Sequence, residues 1–252
     1  MTIDPLALAK EIEPKTTNGP LRKYYRLGRP GRWYGGIATA DCVGCFLNCV
    51  FCWSGAPRDN PEKVGKFYSP SEVFAALDSC SRKHGYRLIR VSGNEPTLGR
   101  KHLLALLEIA DQSNYSFILE TNGILIGSDR SYARALSKFR KLHVRVSIKG
   151  TNQGEFSRLT GAAPEAFELQ LKSIENLLDE GVPCHPAVML SFSPKENFER
   201  LRSKLAEIDE SLAREVEEEY VILYPNVVRR LENSGVKPLI AYRPNGVPSE
   251  LI

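Results

Sequence analysis

Four of the six cysteines in this chain fall within eleven residues, in the stretch CVGCFLNCVFC that runs from Cys42 to Cys52. Closely spaced thiols bind metals, form disulfides or carry redox chemistry, and the gaps between them help to discriminate among these uses. Structural zinc sites usually pair two Cys-x2-Cys units across a longer loop, whereas only three residues separate the two units here. The bacterial ferredoxin run has another order of gaps. One subset therefore stands out, Cys45-x3-Cys49-x2-Cys52 with Phe51 before the last cysteine.

Strand-like and helix-like patterns alternate along most of the chain, and they must position this cysteine loop. Short connections between such patterns predict a parallel sheet with right-handed crossovers. About six units are too few for an eight-stranded barrel, so we expect an α/β fold, a partial, open parallel (βα)6 barrel. Strands are predicted at 35–40, 86–93, 115–123, 142–150, 182–193 and 220–225, and helices at 69–85, 100–113, 131–139, 164–181 and 194–219.

Four polar motifs fall at the predicted strand ends, where parallel α/β sheets place catalytic residues. They are the cysteine loop, SGNEP ending at Pro96, ETNG from Glu120 to Gly123, and SIKG from Ser147 to Gly150. The agreement between motif and strand end indicates an enzyme.

Composition is that of a globular protein, with 42% hydrophobic and 25% charged residues and a net charge of +4. The N-terminus does not resemble a signal peptide, and no segment offers the ~20 apolar residues that span a bilayer. We therefore expect a cytoplasmic protein without a membrane partner, in which clustered cysteines bind metal or do redox work. The basic and aromatic stretch 22–36 either holds a nucleic acid or packs on the surface of the domain.

Together these motifs resemble the radical S-adenosylmethionine (SAM) superfamily, whose loop reads Cys-x3-Cys-x-aromatic-Cys. The resemblance implies that Cys45, Cys49 and Cys52 hold three irons of a [4Fe–4S] cluster and leave the fourth iron to SAM. It further implies reductive cleavage of SAM to a 5′-deoxyadenosyl radical that abstracts hydrogen, with the cofactors supplying that chemistry. Cys42 lies outside the motif, and we expect it to be an inert buried residue.

The other motifs resemble most closely the activating enzymes of glycyl-radical enzymes, of the pyruvate formate-lyase type. That resemblance implies contacts from GNEP to the SAM amino group, from Glu120 to the amino group or a cation, from Ser147 to the ribose and from Lys149 to the SAM carboxylate. Asn94 stands in place of a glycine and Ser147 in place of an aspartate, and Trp53-Ser54 replaces a Cys-His pair. The expected cofactor contacts are Phe51, Trp53, Gly93, Asn94, Glu95, Pro96, Glu120, Thr121, Asn122, Ser147, Lys149 and Met189.

The predicted organisation is an N-terminal extension (1–34), the barrel (35–225) and a C-terminal extension (226–252). The resemblance implies an electron donor of the flavodoxin or ferredoxin type. Activase-like motifs also occur in enzymes of other substrate range, such as the carboxy-deazaguanine synthase type. The substrate therefore stays open between a glycyl site on a partner protein, a small metabolite and RNA. A non-catalytic iron–sulfur electron carrier and a zinc-stabilised nucleic-acid-binding module are the competing interpretations.

Overall fold

The strands of this protein alternate apolar and polar side chains, which places the sheet between a hydrophobic layer and a polar cavity. The computed structural model describes residues 2–252. Along Leu142–Ile148, Val144 and Val146 pack in the hydrophobic core, whereas Arg145 and Ser147 line the cavity. One face of the sheet is therefore structural and the other is available for chemistry.

The strands are β1 (Thr17–Asn18), β2 (Leu21–Gly31), β3 (Ile37–Cys42), β4 (Lys66–Tyr68), β5 (Leu88–Gly93), β6 (Ser116–Thr121), β7 (Leu142–Ile148), β8 (Cys184–Met189), β9 (Glu217–Glu219), β10 (Val221–Ile222) and β11 (Ala241–Tyr242). Six parallel strands in the order β3-β5-β6-β7-β8-β9 make up most of a nine-stranded sheet, with β9 at one edge. The order follows the chain, and β1, β2 and β4 extend the β3 side with antiparallel pairing. This architecture confirms the predicted α/β fold with a partial, open parallel barrel.

The helices begin and end where local sequence signals place them. The clearest case is Pro70–His84, which starts with a capping box between Ser69 and Glu72 and ends at Gly85, whose φ is 71°. The helices are α1 (Pro5–Thr16), α2 (Gly55–Asp59), α3 (Pro70–His84), α4 (Arg100–Asp111), α5 (Ile124–Ser128), α6 (Arg130–Leu136), α7 (Gln153–Thr160), α8 (Ala166–Asp179), α9 (Lys195–Ile208), α10 (Glu210–Arg214) and α11 (Pro225–Ser234), with 3-10 turns at Trp33–Gly35, Pro96–Gly99 and Ser249–Leu251.

The sixth parallel strand differs from the prediction. The helix predicted at 194–219 ends at Ile208 and is followed by the short α10, and Glu217–Glu219 forms β9 against β8. The strand predicted at 220–225 is instead β10, which pairs with β11 in a separate two-stranded sheet. The prediction failed because glutamate favours helices and carries no strand-like alternation here.

The predicted N-terminal extension shares the main sheet. β2 pairs with β3 through partners such as Tyr24 and Cys42, and α1 begins at Pro5 behind the N-cap Asp4. The domain boundaries at 34 and 225 stay a prediction. Among residues 2–252, each helix is too short or too polar to span a lipid bilayer.

His102 on α4 forms a buried polar link to the N-terminal segment. Its Nδ1 lies 2.8 Å from the carbonyl oxygen of Pro20, and its Nε2 lies 3.0 Å from the hydroxyl of Tyr24. Because a carbonyl oxygen can only accept, Nδ1 carries the proton and Nε2 accepts from the tyrosine. Burial lowers the pKa of His102 from its ordinary 6.5 to about 4.

This depressed pKa predicts acid sensitivity. Between pH 6.5 and about 4, His102 binds a proton in the unfolded chain but stays neutral in the folded one. The free energy of unfolding therefore decreases as the pH falls through this range. Between about pH 7.5 and about pH 5 the loss from His102 amounts to about 2 kcal/mol. Urea unfolding at both pH values should show a correspondingly smaller loss for His102→Gln. An equal loss in both proteins would contradict this role.

Candidate active site

The three cysteines of the Cys-x3-Cys-x2-Cys spacing lie in the loop between β3 and α2. This loop follows the carboxyl end of the first parallel strand, the edge at which open α/β sheets bind ligands. Cys49 is buried, Cys45 and Cys52 are half-buried, and all three line one cavity. All six cysteines are free thiols, so these three are available as ligands.

Burial shifts the acidity of the thiols. It raises the pKa of Cys49 to about 11, although the charges of Lys149 and Arg58 act in the opposite direction. Burial also raises the pKa of Cys45 and of Cys52. Arg58 is itself buried and donates from Nη1 to the carbonyl oxygen of Cys49 at 2.8 Å. Since a thiol loses its proton when it binds iron, metal binding to this loop would release protons.

The middle of the cysteine loop is fixed to the end of α7. The amide of Asn48 donates to the carbonyl oxygen of Thr160, and the amide of Val50 donates to that of Leu159, both at 2.9 Å. These bonds use acceptors at the carboxyl end of a helix, which lack partners within the helix. The loop backbone is thereby held where its thiols face the cavity.

Helix α11, in the predicted C-terminal extension, contacts the segment that follows Cys52, the last cysteine of the loop. The side-chain amide of Asn226 donates to the carbonyl oxygen of Trp53 at 2.8 Å, and Arg230 pairs with Asp59. The Arg230 guanidinium packs directly over Gly55, so a larger side chain at this position would displace it. Residues far apart in sequence therefore hold the segment that follows the last cysteine.

Glu95 accepts four hydrogen bonds at the end of β5 and is 2% exposed. Oε1 accepts from the amide and hydroxyl of Thr97, at 3.1 and 2.6 Å, and from the hydroxyl of Thr121 at 2.7 Å. Oε2 accepts from the amide of Asn122 at 2.8 Å and keeps further acceptor capacity. Burial raises the pKa of Glu95, and these four donors oppose the rise.

Glu120 is paired with an arginine. Its Oε1 accepts from Nη1 of Arg90 at 2.5 Å, and its Oε2 accepts from the hydroxyl of Ser92. Burial would raise the pKa of Glu120, but the charges of Arg90 and Arg145 hold it below its ordinary value. Its predicted place beside the SAM amino group or a cation stays a prediction.

Lys149 and Ser147 lie together at the end of β7. The Lys149 ammonium is 3.5 Å from an oxygen of Glu219 and 6.0 Å from the centre of the Phe51 ring. The Ser147 hydroxyl accepts from Nη1 of Arg145 at 2.9 Å. The two predicted cofactor contacts are thus joined to a charged network on the polar face of the sheet.

The sequence analysis did not predict this network of charged side chains around Arg145. Buried Arg145 donates from Nε to Glu217 at 2.9 Å and from Nη2 to Glu217 and Glu219 at 2.6 and 2.9 Å. Nε2 of His185 lies 3.0 Å from the same Glu217 carboxylate, and the hydroxyl of Tyr34 donates to this carboxylate at 3.0 Å. Although burial opposes it, bonding to His185 and Arg145 holds the pKa of Glu217 well below its ordinary range. The alternation of arginine with apolar residues in β5 and β7 was the available signal.

The basic and aromatic stretch 22–36 divides between core and rim. Arg22 and Tyr24 are buried, whereas the Arg26 guanidinium lies 5.4 Å from the ring of Trp53, which is 41% exposed. Arg29 forms a two-bond pair with buried Asp41 at 2.8 and 3.1 Å. Much of the stretch is therefore structural.

The structure brings fourteen of the fifteen predicted site residues around one cavity of about 1410 Å³. Pro96 is the exception, because it is buried in the first turn of a 3-10 helix behind Glu95. The lining residues from the prediction are Cys45, Cys49, Phe51, Cys52, Trp53, Gly93, Asn94, Glu95, Glu120, Thr121, Asn122, Ser147, Lys149 and Met189.

The protein is thus a partial parallel barrel that presents a cysteine loop at the carboxyl edge of its sheet. Comparison with known proteins gives the family. Residues 41–205 match the profile of the Radical SAM superfamily, and the chain belongs to that superfamily. It is a radical SAM enzyme, and this family uses a [4Fe–4S] cluster and SAM. Enzymes of this family need a reductant and a substrate.

Curated relatives include two proteins named probable GTP 3′,8-cyclase. The one from Pyrobaculum aerophilum is 30% identical over 139 residues, which are 55% of this chain and 42% of the relative. The one from Methanosarcina acetivorans is 27% identical over 155 residues, 60% of this chain and 44% of the relative. The chain thus spans less than half the length of these relatives.

Solved structures share the fold at low sequence identity. Streptococcus suis SuiB bound to precursor peptide SuiA is 18% identical, with a TM-score of 0.56 over 68% of this chain and 36% of SuiB. TYW1 with a lysine-pyruvate adduct bound is 16% identical, with a TM-score of 0.52 over 79% of this chain and 72% of TYW1. Native anSMEcpe with bound AdoMet is 22% identical, with a TM-score of 0.52 over 74% of this chain and 51% of anSMEcpe.

The residues of the cavity fit the cofactors of the family. Within residues 2–252, no three His, Cys, Asp or Glu side chains are gathered to hold a single metal ion. A [4Fe–4S] cluster does not require its ligands to converge on one ion, because each thiolate binds a separate iron. Three thiols on one loop line the same cavity as the Glu95 carboxylate and the Lys149 ammonium, groups opposite in charge to the two ends of an amino acid.

Proposed function

We propose that Cys45, Cys49 and Cys52 hold the cluster and that the enzyme abstracts hydrogen from a small, polar metabolite inside the barrel. The charged face of the sheet is the observation that supports a small, polar substrate. Arg90, Glu120, Arg145, Glu217 and Glu219 all line the cavity that the three thiols line. Buried charges are costly unless they are paired, and such a face offers a ligand many oriented hydrogen-bond partners.

The chain's own residues would bind and orient SAM. Glu95, with acceptor capacity left on Oε2, would receive the ammonium group, and Lys149 would pair with the carboxylate. Ser147 and Met189 would flank the ribose and the adenine. When bound, the cluster supplies the electron for SAM cleavage, and the protein contributes binding, orientation and exclusion of water. We propose an electron donor of the flavodoxin or ferredoxin type.

The relatives support a small-molecule substrate, because they are named as cyclases of a nucleotide, GTP. The chain spans under half of those proteins, and the proposed substrate is therefore a class, small polar metabolites. A glycyl site on a partner protein is the second candidate, which the activase-like motifs favour. The observation in its favour is that the exposed side chains of Trp53 and Tyr224, which a peptide could contact, also line the cavity.

One experiment separates the candidate substrates. The chain is reconstituted anaerobically, reduced with SAM present, and supplied with either the low-molecular-mass or the macromolecular fraction of a cell extract. We expect the low-mass fraction to stimulate formation of 5′-deoxyadenosine. Stimulation by the macromolecular fraction alone would contradict the metabolite proposal, and protease or ribonuclease treatment would then identify a protein or RNA substrate.

A further inference from the structure

Asn94 connects the two ends of the cysteine loop with one side chain. Its Oδ1 accepts from the amide of Gly44 at 2.9 Å, one residue before the first cluster cysteine. Its Nδ2 donates to the carbonyl oxygen of Ser54 at 3.0 Å, two residues after the last one. The backbone adds two bonds at the start of the loop: the amide of Asn94 donates to the carbonyl oxygen of Cys42 at 3.3 Å, and the amide of Glu95 donates to that of Gly44 at 2.9 Å.

A side-chain amide suits this task because it is a donor and an acceptor in one planar group. Closing residues 44–54 through a single side chain reduces the conformational freedom of the loop and holds its ends in place. A glycine, the residue that the resembled motif carries at this position, has no atoms that could make either bond. The loop would then keep its α7 contacts, the bond from the Glu95 amide to Gly44 and the bond from Asn226 to Trp53, but it would lose the one side chain that joins its two ends.

We infer that Asn94 is a positioning residue that closes the cysteine loop and keeps Cys45 and Cys52 in place for the cluster. This inference rests on the proposed cluster role of the loop. It changes the role expected for Asn94 from a contact with SAM to a clasp on the protein itself. Restoring the glycine of the resembled motif therefore weakens the site.

The test compares Asn94→Ala and Asn94→Gly with the wild type by amide hydrogen exchange of the full chain. Asn94 has a negative φ, so alanine removes both side-chain bonds without backbone strain. We expect the Gly44 amide to exchange on the order of tenfold faster in both variants, with the global unfolding transition little changed. Asn94→Asp keeps the acceptor, so it should retain protection at Gly44. Asn114→Gly, at an exposed turn, is the matched control.

After reconstitution, the same variants are exposed to an iron chelator. Asn94→Ala and Asn94→Gly should lose iron several-fold faster than the wild type and Asn114→Gly. Unchanged exchange at Gly44, or weaker SAM binding with an unchanged rate of iron loss, would overturn the inference. Because exchange is measured before reconstitution, its outcome is independent of the proposed function. A wild type that binds no cluster would refute the proposed function and leave the exchange result standing.

Discussion

Replacing Cys49 with alanine will leave the reconstituted protein unable to hold about four irons per chain. Cys49 is buried in the middle of the loop, with Arg58 bonded to its carbonyl oxygen and Val50 bonded to α7. Because this backbone is fixed, no neighbouring side chain can move in to replace the thiol. A cluster held by two thiolates loses iron more readily than one held by three. Iron and sulfide content and the broad absorbance near 400 nm, expected from the family resemblance, are the measurements.

Cys42 and Cys80 provide matched controls for this prediction. Both are buried core residues outside the three-cysteine spacing, and Cys42 is fully buried at the end of β3. Cys42→Ala and Cys80→Ala should keep the full iron content. Equal loss of iron in Cys42→Ala would show that all four clustered cysteines act together, which would contradict the three-cysteine interpretation.

Replacing Glu95 with glutamine will destabilise the protein by about 3 kcal/mol and weaken SAM binding. The buried carboxylate accepts hydrogen bonds from two backbone amides and two hydroxyls. In glutamine, an NH2 group replaces one of the accepting oxygens, so it would face a donor and lose that bond. The variant also lacks the negative charge that we assign to the SAM ammonium. Urea unfolding measures the first effect, and equilibrium dialysis with labelled SAM measures the second.

Thr97→Val is the matched control for Glu95, because it removes only the hydroxyl that donates to Oε1 at 2.6 Å. It should cost about 1 kcal/mol and leave SAM affinity close to that of the wild type. A Glu95→Gln protein as stable as the wild type would contradict the four-donor account. Unchanged SAM affinity in a folded variant would remove Glu95 from the proposed binding site.

Much of the site could be predicted because its residues lie at strand ends. Strand patterns and cysteine spacing are local signals, and parallel strands bring their carboxyl ends to one edge of the sheet. The loop, Glu95, Asn122 and Lys149 therefore met around one cavity as expected. The roles assigned to them by resemblance stay predictions.

The remaining features depend on contacts between distant parts of the chain. Glu217–Glu219 becomes a strand because it pairs with β8 and because Arg145 neutralises it, and neither partner is visible in a local window. The link from Arg230 to Asp59 likewise joins residues 171 positions apart. Tertiary context overrides local propensity at such places.

The central claim is tested most directly by measuring 5′-deoxyadenosine after the reconstituted chain is reduced in the presence of SAM. The account predicts that this product forms with the wild type and with Cys42→Ala, and that it falls to the protein-free background with Cys49→Ala. A wild-type chain that holds about four irons and forms no 5′-deoxyadenosine on reduction would contradict it. Such a protein would be an electron carrier.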